Sequence, residues 1–203
     1  VVRAAPEKSK GDATRERIVH RALEIASLEG LGSLTIGSLA EDLGLSKSGL
    51  FAHFKSKERL QLEVLEAAAS NFTLEVFHPA LVKARGLPRL RAIFDNWLGW
   101  IQSNQSRGGC VFIAAAMEWD DREGEVRDAV VDWMQKLHAG LVRATELAVQ
   151  AGDLRADVDV DGFANDVHGI ALKYHLGARL MRLPTAVPEA RASFERLVQS
   201  CAP

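Results

Sequence analysis

The sequence predicts an all-α protein, and three observations carry that prediction. Alanine and leucine are the commonest residues, and with arginine and glutamate they favour helix. Apolar residues recur at i, i+3, i+4 and i+7 through most of the chain, with little strand-like alternation. Glycines and prolines (Gly30, Gly44, Gly108, Gly152, Pro184) punctuate these stretches.

The 203 residues are enough to bury a core, as one domain or two small ones. An apolar share of 47% and a charged share of 26% are those of an ordinary water-soluble globule. No apolar run is long enough to span a bilayer, and the amino end has no signal-peptide core, so the expected location is the cytoplasm. Cys110 and Cys201 lie far apart, in no metal-type spacing, and read as two reduced thiols.

Residues 1–12 carry Arg3, Lys8 and Lys10 without a periodic apolar face, and are expected to be a mobile tail, with a basic arm as the alternative. The first helix is expected over 14–29, with Ile18, Ala22, Ile25 and Ala26 as its buried stripe. Gly30 and Gly32 break it, and Leu31 and Leu34 tuck under the turn. Thr35 caps a short second helix whose Ile36, Leu39, Ala40 and Leu43 share one face. Gly44 ends that helix in a left-handed backbone. Leu45 fills the corner, and Ser46 caps a third helix whose Leu50, Phe51 and Phe54 turn back toward the second.

Helix, glycine turn, helix is the helix-turn-helix arrangement. The first helix completes a three-helix head, because two short helices cannot bury both their faces. The third helix opens with Ser46, Lys47, Ser48 and Gly49. Small, polar and cationic residues suit an end that enters a major groove and meets bases and phosphates. Arg15 and Arg17 read as solvated charges, with a phosphate contact as the alternative.

Ser56 caps a fourth helix, which continues through Leu60, Val64, Leu65, Ala68 and Phe72 to about residue 77, with Pro79 as its breaker. Lys57 in the first turn opposes the helix dipole, which points to an external anion there. From residue 87, Leu90, Ile93, Phe94, Trp97, Leu98 and Ile101 line a helix face that ends at Gly108-Gly109. Residues 110–117 are almost wholly apolar and read as a buried helix. Three more helices are expected. Residues 123–151 have Val126, Val130, Met134, Leu137, Leu141 and Leu147 inside. Residues 160–183 carry Phe163, Val167, Ile170, Ala171, Tyr174 and Leu176 as apolar positions. Residues 190–198 contain Phe194 and Leu197, after a connection bracketed by Pro184 and Pro188.

The stretch Leu45-Ser46-Lys47-Ser48-Gly49-Leu50-Phe51-Ala52-His53-Phe54-Lys55-Ser56-Lys57-Glu58 resembles the DNA-binding signature of the TetR family of transcriptional regulators. The resemblance extends to Thr14-Arg15-Glu16-Arg17-Ile18, Ala22-Leu23-Glu24-Ile25-Ala26, Glu29-Gly30-Leu31 and Thr35-Ile36-Gly37-Ser38-Leu39-Ala40. A later segment, from Gly108-Gly109-Cys110 to Glu118-Trp119-Asp120-Asp121, is similar to one in a subset of these regulators.

The resemblance implies a helix-turn-helix domain over 1–55 and a helical ligand-binding and dimerisation domain over 56–203. It implies a homodimer on a double-stranded, palindromic operator, acting as a repressor that a small-molecule effector releases, with no cofactor and no membrane. Ser46, Lys47, Ser48 and Gly49 would lie nearest the bases, with Thr35, His53 and Lys57 on phosphates. Trp97, Trp100, Phe112, Met117, Trp119 and Trp133 fall in segments that line the family's ligand cavity. Trp97, Trp100, Phe112, Trp119, His138 and His168 are the candidate effector contacts, although any one aromatic on a helix face is more often core. Two positions depart from the pattern: Phe51 has no hydroxyl to offer a phosphate, and Ala52 offers no polar group.

One short recognition helix reads few base pairs, so specific binding needs two heads. Gly169, Ala171, Gly177 and Ala178 would let the last two helices approach a partner's and form a four-helix bundle. Charge distribution agrees with a DNA-facing amino end: residues 1–60 carry ten basic and eight acidic side chains, against fifteen and nineteen in the remainder. The competing reading is a small helical enzyme or metal-binding protein using Glu118, Asp120, Asp121 and His138. His168 and His175 lie i, i+7 and could share a helix face, but no third ligand follows at zinc spacing.

Overall fold

A computed structural model describes residues 10–102 and 108–203. Among these residues the chain forms nine α-helices and no strand. They are α1 (Lys10–Glu29), α2 (Ile36–Asp42), α3 (Lys47–Phe54), α4 (Lys57–Phe72), α5 (Leu87–Gln102), α6 (Val111–Trp119), α7 (Glu125–Gln150), α8 (Val160–His175) and α9 (Ala186–Ser200). None of the described helices is long and apolar enough to cross a membrane.

The first three helices form the head. Ile18, Ala22 and Ala26 of α1, Leu39 and Ala40 of α2, and Leu50 and Phe54 of α3 are buried, with Leu31 and Leu34 beneath the α1–α2 turn. The α2–α3 turn closes as the sequence requires. Gly44 takes φ 64°, its N–H donates to Glu41 O at 3.2 Å, and Leu45 N–H donates to Ala40 O at 2.8 Å. This paired closure satisfies two otherwise orphaned carbonyls at the end of α2.

Several expectations shift. α1 begins at Lys10, four residues before the expected start, so the end of the expected tail is helical; residues 1–9, with Arg3 and Lys8, lie outside the described residues. Phe51 does not turn back toward α2. It is 53% exposed, because Leu50 and Phe54 already fill the inward face of a helix only two turns long. Past Phe72 the fourth helix widens into a π-type turn (Thr73–Phe77) and then tightens into a 3-10 turn (His78–Val82), with Pro79 inside the latter. Leu176 belongs to a similar wide turn (Leu176–Leu180) and is half exposed. Pro188 does not bracket a connection but sits in the first turn of α9, where a missing N–H has no partner to lose.

The body packs α4 to α9 around aromatic pairs. Phe112 stacks on Trp133 at 3.8 Å between ring centroids, and Phe94 on Phe194 at 4.3 Å. Phe72 meets Trp97, Trp100 and Trp133 edge-on. Each such pair contributes about 1 kcal/mol beyond its buried area. Head and body share one continuous core. At their junction Gly108 lies against the carboxy-terminal turn of α1: a Cβ there would overlap Ser27 O, and Gly108 N–H donates to Ser27 Oγ at 3.2 Å.

Candidate nucleic-acid interface and ligand cavity

The sequence places caps at the starts of α2, α3 and α4, and each one forms. Thr35 Oγ1 accepts from Ser38 N–H at 3.0 Å, Ser46 Oγ from Gly49 N–H at 3.0 Å, and Ser56 Oγ from Arg59 N–H at 3.0 Å. Capping fixes where α2, α3 and α4 begin, and so which side chains stand at their ends. Ser46, Lys47, Ser48 and Gly49 are all exposed, as are Thr35 and Lys57.

The structure brings Lys47 and Thr35 to one place. A Cβ built on Gly37 would lie 3.5 Å from Lys47 Cε, 3.7 Å from its Nζ and 4.0 Å from Thr35 Oγ1. The Lys47 side chain therefore runs across the first turn of α2 rather than straight off α3. His53 is half-buried on the flank of α3, its ring 6.2 Å from that of Phe54, and its carbonyl accepts from Arg15. Lys57 Nζ donates to Gly32 O at 2.5 Å. That local acceptor accounts for a cation in the first turn of a helix, and two further ammonium protons remain for an external anion.

Arg15 is not simply solvated. It pairs with both carboxylate oxygens of Glu63 on α4, lies over the Phe54 ring at 5.1 Å, and its guanidinium is held on the charged side by Glu63. Arg15 thus ties α1 to the α3–α4 corner. Arg17 remains exposed. Three exposed residues beyond those expected at the interface also lie on or beside α3: Phe51, Ala52 and Lys55, the last at φ 63°. A helical wheel centred on Leu50 and Phe54 puts Ala52 opposite them, whereas Phe51 falls at the edge of the inward side.

The turn Leu31–Ser33 joins head to body. Gly32 N–H donates to Glu118 Oε2 at 2.7 Å, and Gln61 Nε2 donates to Leu31 O at 2.9 Å from a buried position. Glu118 stands on α6, so one peptide unit is held from α6 by its N–H and from α4 by its carbonyl. This engages Glu118, one member of the acidic cluster that suggested a metal or an enzyme. Asp120 Oδ1 accepts from Asp121 N–H at 2.9 Å, and Arg122 lies over the Trp119 ring at 5.0 Å. His138 pairs with Asp161 at 3.0 Å instead of with the cluster. Among the described residues no three His, Cys, Asp or Glu side chains are placed to hold a metal ion.

Trp119, His138 and His168 come together on one cavity of about 430 Å³ between α6, α7 and α8, with Val130, Met134 and Asn165 also on its wall. Burial pushes His168 below the ordinary histidine range, and nearby His138 adds to this. The other expected contacts do not border that cavity. Trp97 and Trp100 are buried in the core. Trp97 stands behind His168, 5.6 Å between ring centroids, and Phe112 is covered by Trp133. Met117, expected near the cavity, is 70% exposed. A second groove, of about 490 Å³, runs between α8 and α9 and includes Gly169, Ile170, Lys173 and Leu197. Gly169 is exposed there, whereas Ala171 is wholly buried in the chain's own core and cannot meet a partner.

Comparison with known proteins agrees with this anatomy. Residues 18–64 match the family described as bacterial regulatory proteins, tetR family, and residues 86–194 match the tetracyclin repressor-like C-terminal domain. The chain is similar to the HTH-type transcriptional regulator AcrR of Shigella flexneri, 32% identical over 91 residues, which is 44% of this chain and 42% of AcrR. The chain thus matches less than half the length of that relative. A TetR transcriptional regulator from Chloroflexus aurantiacus J-10-FL superposes with a TM-score of 0.81 at 26% identity, over 94% of each chain. AibR, solved in complex with isovaleryl coenzyme A and operator DNA, shares the fold at a TM-score of 0.66 and 22% identity, over 79% of this chain and 85% of AibR.

Proposed function

From the premise that this chain belongs to the TetR family of transcriptional regulators, DNA-binding helix-turn-helix proteins, we propose that it is a homodimeric repressor released from a palindromic operator by a small molecule. Residues 1–55 would be its DNA-binding domain and 56–203 its effector and dimerisation domain. The observation that carries the reading is the uncovered start of α3, where Ser46, Lys47, Ser48 and Gly49 are all exposed beside the capped start of α2. Ser48 and Gly49 would approach base edges. Lys47, beside Thr35, would meet backbone phosphate together with Thr35, His53 and Lys57, and such contacts set register on the duplex.

The cavity bounded by Trp119, His138 and His168 would take the effector. AibR, whose structure holds both an acyl coenzyme A and operator DNA, makes a small-molecule ligand a reasonable expectation here. Release requires that the ligand favour one arrangement of the two heads over the other. A route is available: Trp119 lines the cavity, and its neighbour Glu118 grips Gly32 in the head. An operator target would put the protein in the cytoplasm.

Selection from a random-sequence duplex pool, read by gel shift, tests the reading. The expected product is a palindrome whose half-sites lie about 34–36 Å apart, one turn of duplex. A pool that never enriches would refute operator binding.

A further inference from the structure

The head exposes an apolar surface at the place where base edges would be read. Successive residues of an α-helix step by about 100°. Leu50 and Phe54 are completely buried and define the inward side of α3. Ala52 then stands opposite with Ser48 near it, and Phe51 lies at the edge of that outward face, 53% exposed. Two of these three outward side chains, Phe51 and Ala52, have only C–H surface to offer. A donor or acceptor on a base edge gains nothing from them and loses water when it meets them. The major groove presents one apolar group to such a surface, the 5-methyl of thymine.

We propose that Phe51 and Ala52 read thymine methyl groups, so that each operator half-site carries thymines at the positions facing them. This rests on the operator-binding reading above, and it adds to that reading which base the middle of α3 selects. The polar end of α3 then positions the helix, while its apolar middle supplies part of the sequence preference. Phe51 is suited to the task because just over half of its surface is exposed, so part of its ring is open to the groove.

The test uses the full-length protein and the duplex obtained by selection. Each thymine is replaced in turn by deoxyuridine, which removes the methyl and nothing else. For the wild type, at least one thymine in each half-site should show a loss of about fourfold on replacement, the value of one buried methyl-sized group. In Phe51→Ala the loss at the thymine facing position 51 should disappear, and in Ala52→Ser that at the thymine facing position 52. Replacing such a thymine·adenine pair by 5-methylcytosine·guanine should retain more affinity than cytosine·guanine. Circular dichroism should show both variants folded, since both side chains are exposed. Wild-type binding that ignores every deoxyuridine, or deoxyuridine losses of equal size in wild type and both variants, would overturn the assignment while leaving operator binding intact. Failure of the selection itself would overturn operator binding, and this assignment with it.

Discussion

At the scale of single residues, the head separates side chains that hold the fold from those left for a partner. Lys47 has no fold role beyond lying across Gly37. Lys47→Ala should therefore leave the thermal midpoint and the dimer unchanged while weakening operator binding. It should also reduce the slope of log K against log salt by about 1 for each phosphate that the lysine no longer neutralises. A salt series with unchanged affinity would remove Lys47 from the interface. Arg15 is the opposite case. Its guanidinium serves Glu63, whose carboxylate is only 11% exposed, so Arg15→Ala removes a two-point partner from a nearly buried charge and leaves it only Arg59, at 3.3 Å. It should cost about 1–3 kcal/mol of stability in urea denaturation, with no change in the salt slope. A lower salt slope with full stability would instead make Arg15 a phosphate ligand. The sequence alone could not separate these two arginine roles, because Glu63 lies 48 positions away.

At the scale of elements, the Leu31–Ser33 turn is the most informative. It is three residues long, yet it bonds to α4 through Lys57 and Gln61 and to α6 through Glu118. Gly30, just before it, takes φ 89°, and a Cβ there would collide with Glu118 Oε1. Gly30→Ala should thus destabilise by at least about 1 kcal/mol, from left-handed strain on a residue with a Cβ, and should push Glu118 off Gly32. Denaturant titration checks the first effect. Loss of effector-dependent release with operator affinity kept would check the second. In the sequence, Glu118 belonged to an apparent acidic cluster. Its actual partner is a backbone N–H 86 residues earlier, and no side-chain pattern records a backbone partner.

At the scale of the whole molecule, the α8–α9 face is the proposed dimer surface that would let two heads act together. Gly169 is exposed in the groove between these helices with open space over it, and Leu180 and Met181 are exposed nearby in the chain. Gly169→Arg should leave the monomer folded, since nothing lies within 4 Å of its missing Cβ. It should also convert a dimer to a monomer in sedimentation and reduce operator affinity to that of a single head. A dimer that persists in Gly169→Arg would move the interface elsewhere.

The existence of the helices, the caps Thr35, Ser46 and Ser56 and the α2–α3 turn were legible in the chain, because caps, glycine turns and 3.6-residue stripes act over a few neighbouring residues. So were the exposed Ser46 to Gly49 and the junction of Lys57 with a helix start. The sequence by itself thus determined the all-α class, the head and the family. Only the tertiary structure decided that Phe51 faces out, that Ala171 is spent on the chain's own core, and that Trp119, His138 and His168 share a cavity which Trp97 and Trp100 do not. Those outcomes depend on which of several equally apolar faces meets which helix, and that choice is made by packing between residues far apart in the chain.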